Sequence, residues 1–268
     1  MTRQEHSSVA RNLAVLRGAQ KPGGGVPAYM RWINRPVGRL LAAVAAPLGL
    51  TPNAVTLLSF CSSMLGLAII VVAGPGWGTG LAAAICLALG FALDSADGQL
   101  ARLTGAGGPA GEWLDHVVDA IRQPVIHLSI AATVLLHLPQ SRWLAIVAAV
   151  FAVLSSGQFL SQILAEQLVR SRGAAESEPS NGRKSLLLLP TDTGVLCWAF
   201  VLWGAPQAFA WVYAVLVLLN TVHAVASMRR KWRRLRELPS AVPASAAEPV
   251  PAAPRNREAG SPVIPRAA

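Results

Sequence analysis

Charge is scarce in this chain. Of its 268 residues only 13% are Asp, Glu, Lys or Arg and 53% are apolar, a balance that suits a soluble globular domain poorly. Cysteine is scarcer still. Cys61, Cys86 and Cys197 stand singly in apolar runs, with no histidine at ligand spacing, so they read as small core residues and no zinc site is indicated. Residues 1–50 lack the short apolar core of a cleavable signal peptide, so the first apolar span is expected to stay in the protein. A net charge of +10 would suit nucleic acid, yet the basic residues are not interleaved with aromatics and match no nucleic-acid-binding motif. They flank apolar runs instead, which makes anionic membrane lipids the expected partner and leaves no role for nucleic acid.

Long apolar sequence is what the chain has in quantity. A run of roughly 20 residues crosses about 30 Å of hydrocarbon, and six are present: Ala54 to Ala73, Gly80 to Ala101, Gly111 to Leu136, Trp143 to Val169, Leu186 to Trp203 and Gln207 to Met228. The expected fold is an all-α integral membrane protein with six transmembrane helices. Ahead of them, residues 28–46 place Tyr29, Trp32, Ile33, Val37, Leu40, Leu41 and Val44 among Arg31, Arg35 and Arg39. That pattern suits an amphipathic helix lying in the interface, which Pro36 is expected to kink or split. The organisation that follows is a polar basic leader over 1–27 and a membrane domain over 28–236, with the six helices inside 54–228. A Pro/Ala-rich tail over 237–268 cannot bury enough apolar surface to fold and is expected to be disordered.

Orientation follows from lysine and arginine. The N-terminal flank, the connection holding Arg170, Arg172, Arg183 and Lys184, and the C-terminal flank from Arg229 to Arg236 are all basic. With six spans these segments share one side, and by the positive-inside rule that side is the cytoplasm. The chain is thus expected to be a multi-pass protein of the cell (plasma) membrane with both termini cytoplasmic. Its richness in Ala, Arg and Gly resembles high-GC bacterial proteins.

Four of the five aspartates fall between positions 94 and 119, inside apolar sequence. Ionisable groups in such runs are expensive and mark functional sites. Asp94 and Asp97, and Asp115 and Asp119, are three and four residues apart, so each pair shares a helix face. The two pairs end span two and begin span three, across the breaker-rich loop Gly105-Ala-Gly107-Gly108-Pro109, and so meet at the cytoplasmic mouth. Clustered carboxylates offer hard oxygen ligands to Mg²⁺ or Mn²⁺, and four can hold two ions that would neutralise a pyrophosphate. Gly98 clears the helix surface for a ligand, Arg102 one turn later offers forked donors to phosphate, and Gly111 permits close helix approach. These are parts of a phosphoryl-transfer site.

The run Asp94-x2-Asp97-Gly98-x2-Ala101-Arg102-x8-Gly111-x3-Asp115-x3-Asp119 resembles, at every fixed position, the signature of the CDP-alcohol phosphatidyltransferases (class I). The resemblance extends to the six helices, the amphipathic helix and Thr51-Pro52-Asn53-x2-Thr56, covering roughly 28 to 230. It implies transfer of a phosphoalcohol, such as a phosphatidyl group, from a CDP-alcohol to the hydroxyl of a second alcohol, releasing CMP, in phospholipid biosynthesis. It also implies two Mg²⁺ or Mn²⁺ ions on Asp94, Asp97, Asp115 and Asp119, with Asp119 as catalytic base. Gly98, Ala101, Arg102 and Gly111 would then line the CDP-alcohol pocket, joined by Asn53 and Thr56.

The acceptor alcohol stays open at this level. Arg122, three residues after Asp119, either anchors a phosphate of the acceptor or forms an interhelical ion pair. His116 and His127 either bind substrate or satisfy a neighbouring helix, and Asp192 borders the same region. A homodimer is one assembly open to such a chain. Two other readings of intramembrane aspartates are a divalent-cation transporter and an inactive scaffold derived from an enzyme. The acids cluster at one face without a broken mid-membrane helix, and no signature residue is missing, so the enzyme is the preferred reading.

Overall fold

A computed structural model describes residues 8–19, 26–173 and 182–238. The tail from residue 239 onward therefore lies outside the described residues, as do 1–7 and 20–25 of the leader. Everything described is helical or connecting: α1 (Val9–Gly18), α2 (Arg35–Ala45), α3 (Pro52–Ala73), α4 (Trp77–Thr104), α5 (Pro109–His137), α6 (Arg142–Ser171), α7 (Gly182–Leu187), α8 (Thr193–Ala199) and α9 (Pro206–Arg236).

Helices α3, α4, α5, α6 and α9 are each long and apolar enough to cross a membrane. Their ends follow local chemistry. Thr51 caps α3 by accepting a hydrogen bond from the Ala54 N–H, and Pro52 takes the first helical position, where its missing N–H leaves no bond unmade. Gly105 ends α4 at φ +68°, a left-handed conformation that other residues adopt only with strain. Small residues let α3 and α4 approach closely. A Cβ on Gly66 would come within 2.9 Å of the Cys86 Cβ, and one on Gly90 would run into Ser63 and Ser59.

Tryptophans mark both ends of the bundle. Trp77, Trp143 and Trp211 are exposed at one end, and Trp32, Trp113 and Trp232 at the other. On α9, Trp211 and Trp232 are separated by about 32 Å at 1.5 Å per residue, close to the hydrocarbon thickness. Exposed apolar side chains such as Val72, Val153 and Leu218 lie between these belts, the surface a lipid-facing bundle requires.

The sixth expected span, Leu186 to Trp203, is not one long helix. Pro190 lacks the N–H a continuous helix needs, and the chain instead forms α7, a 3₁₀ turn over Leu189–Thr191, α8 and a second 3₁₀ turn over Phe200–Gly204. The apolar piece Thr193–Gly204 rises only about 20 Å, so the way from the end of α6 to the start of α9 is covered in pieces. It packs on α4, where Phe200 and Trp203 are buried beside Gly80.

Pro36 does not split its helix. A π-helical turn over Met30–Asn34 widens the backbone just before it, with the Arg35 N–H donating to the Met30 carbonyl, so the chain runs on into α2. Asn34, Gly38, Ala42 and Ala45 face the bundle, while Trp32, Ile33, Val37, Leu40 and Val44 are exposed. The leader is more structured than its composition suggests. Val9, Leu13 and Leu16 fall on one face of α1, Leu16 is fully buried, and the Asn12 amide donates to the Ala43 carbonyl at 3.2 Å.

Candidate active site

The antiparallel pair α4–α5, joined by Gly105 to Gly108, brings the signature acids to one end of the bundle. Carboxylate oxygens of Asp94, Asp97 and Asp115 all lie within 4.8 Å of one another. Three like charges at that spacing repel strongly in a low-dielectric setting, so the arrangement calls for a cation. Hard oxygen donors from two helices, converging on one point, fit a divalent ion.

Helix α3 supports the cluster from the side. The buried Thr56 hydroxyl donates to Asp97 Oδ2 at 2.6 Å, fixing that carboxylate's orientation. The sequence placed Thr56 against the nucleotide; here it is engaged with an acid. Asn53, at the exposed start of α3, faces Gly111, where an added Cβ would sit 3.3 Å from Asn53 Oδ1. Gly98 is open, with Arg102 Nη1 only 3.7 Å from where its Cβ would be, and both are exposed beside half-buried Ala101. The helix surface at Gly98 is thus left open beside a guanidinium.

Asp119 stands apart from the other three. Its Oδ1 lies 3.3 Å from Arg122 Nη1, which also donates to Asp94 Oδ1 at 2.9 Å. Arg122 is only 5% exposed, and its Nη2 donates to the Ser59 hydroxyl at 2.7 Å. Of the two roles open to Arg122, the geometry has the interhelical ion pair: its guanidinium ties α5 to α4 and α3 and faces the acids. Arg122→Met is expected to lower the melting temperature, because it removes a buried guanidinium from between two half-buried carboxylates. Thermal unfolding in detergent checks this. An acceptor anchor alone would instead raise the acceptor KM and leave the melting temperature unchanged.

The histidines divide. His127 is buried, with Nδ1 2.8 Å from the Tyr213 hydroxyl and its ring edge-on to Phe151 at 4.6 Å, so it satisfies its neighbours. His116, half-buried, has Nε2 3.9 Å from Glu112 and its ring near Phe159. Asp192 is spent on structure: Oδ2 accepts from the Met30 N–H at 2.8 Å and Oδ1 from the Gly194 N–H at 3.0 Å, capping α8 and docking the helix before α2.

Two features escaped the sequence reading. Ser59 is one; the polar stripe Thr56, Ser59, Ser63 at helical spacing on α3 was its signal. The other is a cavity of about 240 Å³ between α5, α6, α8 and α9, whose edge is Gln123, one turn beyond Asp119 on the same face.

Comparison with known proteins gives three findings. The sequence profile of the family described as CDP-alcohol phosphatidyltransferase matches residues 49–227, more than half of the chain. Over 96 residues the chain is 38% identical to cholinephosphotransferase 1 of Saccharomyces cerevisiae, covering 33% of this chain and 24% of that protein. The chain thus spans about a quarter of the curated relative it matches. In fold it is similar to the phosphatidylinositol phosphate synthase of Mycobacterium tuberculosis, crystallised with CDP-DAG bound. That match has a TM-score of 0.53 at 22% identity, over 78% of this chain and 96% of the other.

Proposed function

Because the chain belongs to the CDP-alcohol phosphatidyltransferase family, we propose that it transfers the phosphoalcohol of a CDP-alcohol to the hydroxyl of a second alcohol and releases CMP. The observation that carries this reading is the convergence of Asp94, Asp97 and Asp115 within 4.8 Å, flanked by the open Gly98 and by Arg102. Asp94, Asp97 and Asp115 would hold a divalent ion, Mg²⁺ or Mn²⁺, with Asp119 completing a place for a second. When bound, such ions offset the charge of the donor pyrophosphate.

The protein's own groups divide the remaining work. Arg102 offers paired donors to the donor phosphates, and Gly98 and Ala101 leave room for the nucleotide along α4, with Asn53 at the rim. Asp119 takes the proton from the acceptor hydroxyl. The acceptor oxygen then bonds to the phosphorus that carries the donor alcohol, the anhydride bond to CMP breaks, and the electron pair leaves on the CMP phosphate. Arg122 keeps Asp119 and Asp94 in register across the two helices.

The test is a transfer assay on the purified protein in lipid nanodiscs. Labelled CDP-diacylglycerol, CDP-choline and CDP-ethanolamine are each offered with a panel of alcohols. Stoichiometric CMP and one labelled phosphodiester are expected from at least one pair. A protein that releases no CMP from any of them, while still binding divalent cations, is not this enzyme.

The same proposal sets the membrane arrangement: a multi-pass plasma-membrane protein, its acids at the cytoplasmic face, with the amphipathic helix over 28–46, which includes α2, lying in the interface on its Trp32–Val44 stripe. In support, the Gly74 and Pro139 connections meet, with His137 Nε2 3.0 Å from the Val71 carbonyl, at the end opposite Gly105 to Gly108. In a background lacking the three native cysteines, a cysteine at Gly76 or Gln140 is expected to label from outside the cell. One at Ala106 is expected to stay protected; the reverse pattern overturns the orientation.

A further inference from the structure

The cavity between α5, α6, α8 and α9, which Gln123 lines one helical turn from Asp119, has a composition that restricts what it can accept. It lies at the midpoints of α5, α6 and α9, the depth at which an unpaired amide is costly. Yet Gln123, Ser155, Gln158, Thr191 and Asn220 all line it. Asn220 is tied to the Pro190 and Leu216 carbonyls and Ser155 to the Ala152 carbonyl. Gln123 and Gln158 have no hydrogen-bond partner among the described residues, and both face the open space. At about 240 Å³ the cavity has many times the room one water needs.

Its charge is as informative as its amides. No lysine or arginine lines it, and its single acid, Asp192, is held by two backbone N–H groups. A phosphorylated alcohol would bring close to two negative charges into a cavity whose wall has no lysine or arginine to receive them. The rest of the wall is mostly apolar, including Ile126, Phe151, Leu154, Leu196 and Leu216. Resting on the transfer reaction set out above, we propose that this cavity receives the acceptor and selects an uncharged alcohol with an apolar body, its hydroxyl held by the Gln123 and Gln158 carboxamides. Gln123, one turn beyond Asp119, hands that hydroxyl toward the acid that takes its proton. Gln123 and Gln158 are specificity-determining residues.

The experiment compares acceptors and variants in nanodiscs with whichever labelled CDP-alcohol is turned over. The acceptors are dioctanoylglycerol, glycerol, inositol and glycerol 3-phosphate. Dioctanoylglycerol is expected to exceed glycerol 3-phosphate in kcat/KM by about 10²-fold or more, since uncompensated like charge is costly. It should also exceed glycerol, which separates a lipid-borne hydroxyl from a soluble one. Gln123→Leu and Gln158→Leu should each raise the acceptor KM about tenfold and leave the donor KM unchanged. Ser155→Phe, which fills the cavity without removing either amide, should do the same. A preference for glycerol 3-phosphate, or an unchanged acceptor KM in the three variants, overturns the proposal. A parallel melting series needs no turnover: dioctanoylglycerol should stabilise the wild type and not Gln123→Leu/Gln158→Leu. Stabilisation without CMP release from any donor counts against the transfer reaction alone, and equal stabilisation of both proteins counts against the cavity.

Discussion

Stripping divalent cations from the purified protein is expected to abolish CMP release, by about 10³-fold or more, and Mg²⁺ or Mn²⁺ is expected to restore it. The basis is the spacing of Asp94, Asp97 and Asp115, whose oxygens approach within 4.8 Å of one another. Carboxylates so placed repel unless a cation lies among them, so chelation should also lower the melting temperature, by linkage to the lost ligand. Thr56→Val tests the support of the cluster. It removes the 2.6 Å hydrogen bond that orients Asp97 and should weaken ion affinity by about 10- to 100-fold. Asp97→Asn should weaken it further. Undiminished transfer in excess EDTA, after the metal has been removed, would rule out this reading of the acids, and an unchanged affinity in Asp97→Asn would show that the ligands lie elsewhere.

Much of the bundle was legible because long apolar runs admit few alternatives. Spans expected at Gly80 to Ala101 and Gly111 to Leu136 are found as Trp77–Thr104 and Pro109–His137. The extra residues come from capping glycines at 76, 105 and 108, which hydropathy does not weigh. The Leu186 to Trp203 run is found broken because its average hydropathy hides Pro190 and Asp192, one ending a helix and the other starting a new one. Helix α1 was missed for a different reason. Its only deeply buried side chains are Asn12 and Leu16, and it gains its stability from docking on Ala43, a tertiary contact with no local signature.

In the site, spacing determined which acids would meet but not what each would touch. Asp94 and Asp97 share a face of α4 and meet Asp115 as expected, whereas Asp119, one turn after Asp115, is outside that group of three. The departure of Asp119 toward Arg122 depends on where α3 places Ser59 to receive the second guanidinium nitrogen. Periodicity along α5 alone left Arg122 equally suited to a phosphate. The amide-lined cavity was hidden for the same reason: Gln123 and Gln158 are on different helices, 35 positions apart, and acquire meaning only when α5 and α6 pack.

Asp119→Asn is expected to lower the transfer rate by about 10²- to 10⁴-fold, the range general-base catalysis contributes, while CDP-alcohol binding changes much less. Asparagine keeps the shape of the side chain and its reach toward Arg122, so the bundle should stay folded; Arg122 retains its 2.9 Å bond to Asp94. What asparagine cannot do is take a proton. The loss should therefore appear in kcat and kcat/KM together, with the donor KM near wild type. In the proposed arrangement Asp119 also completes a place for a second ion, so the decisive measurement is the rate at saturating Mg²⁺. A deficit that persists there assigns Asp119 to proton transfer. Recovery to the wild-type rate would make Asp119 a ligand only, and the acceptor proton would have to leave to another group, with His116, the residue after Asp115, the next to substitute.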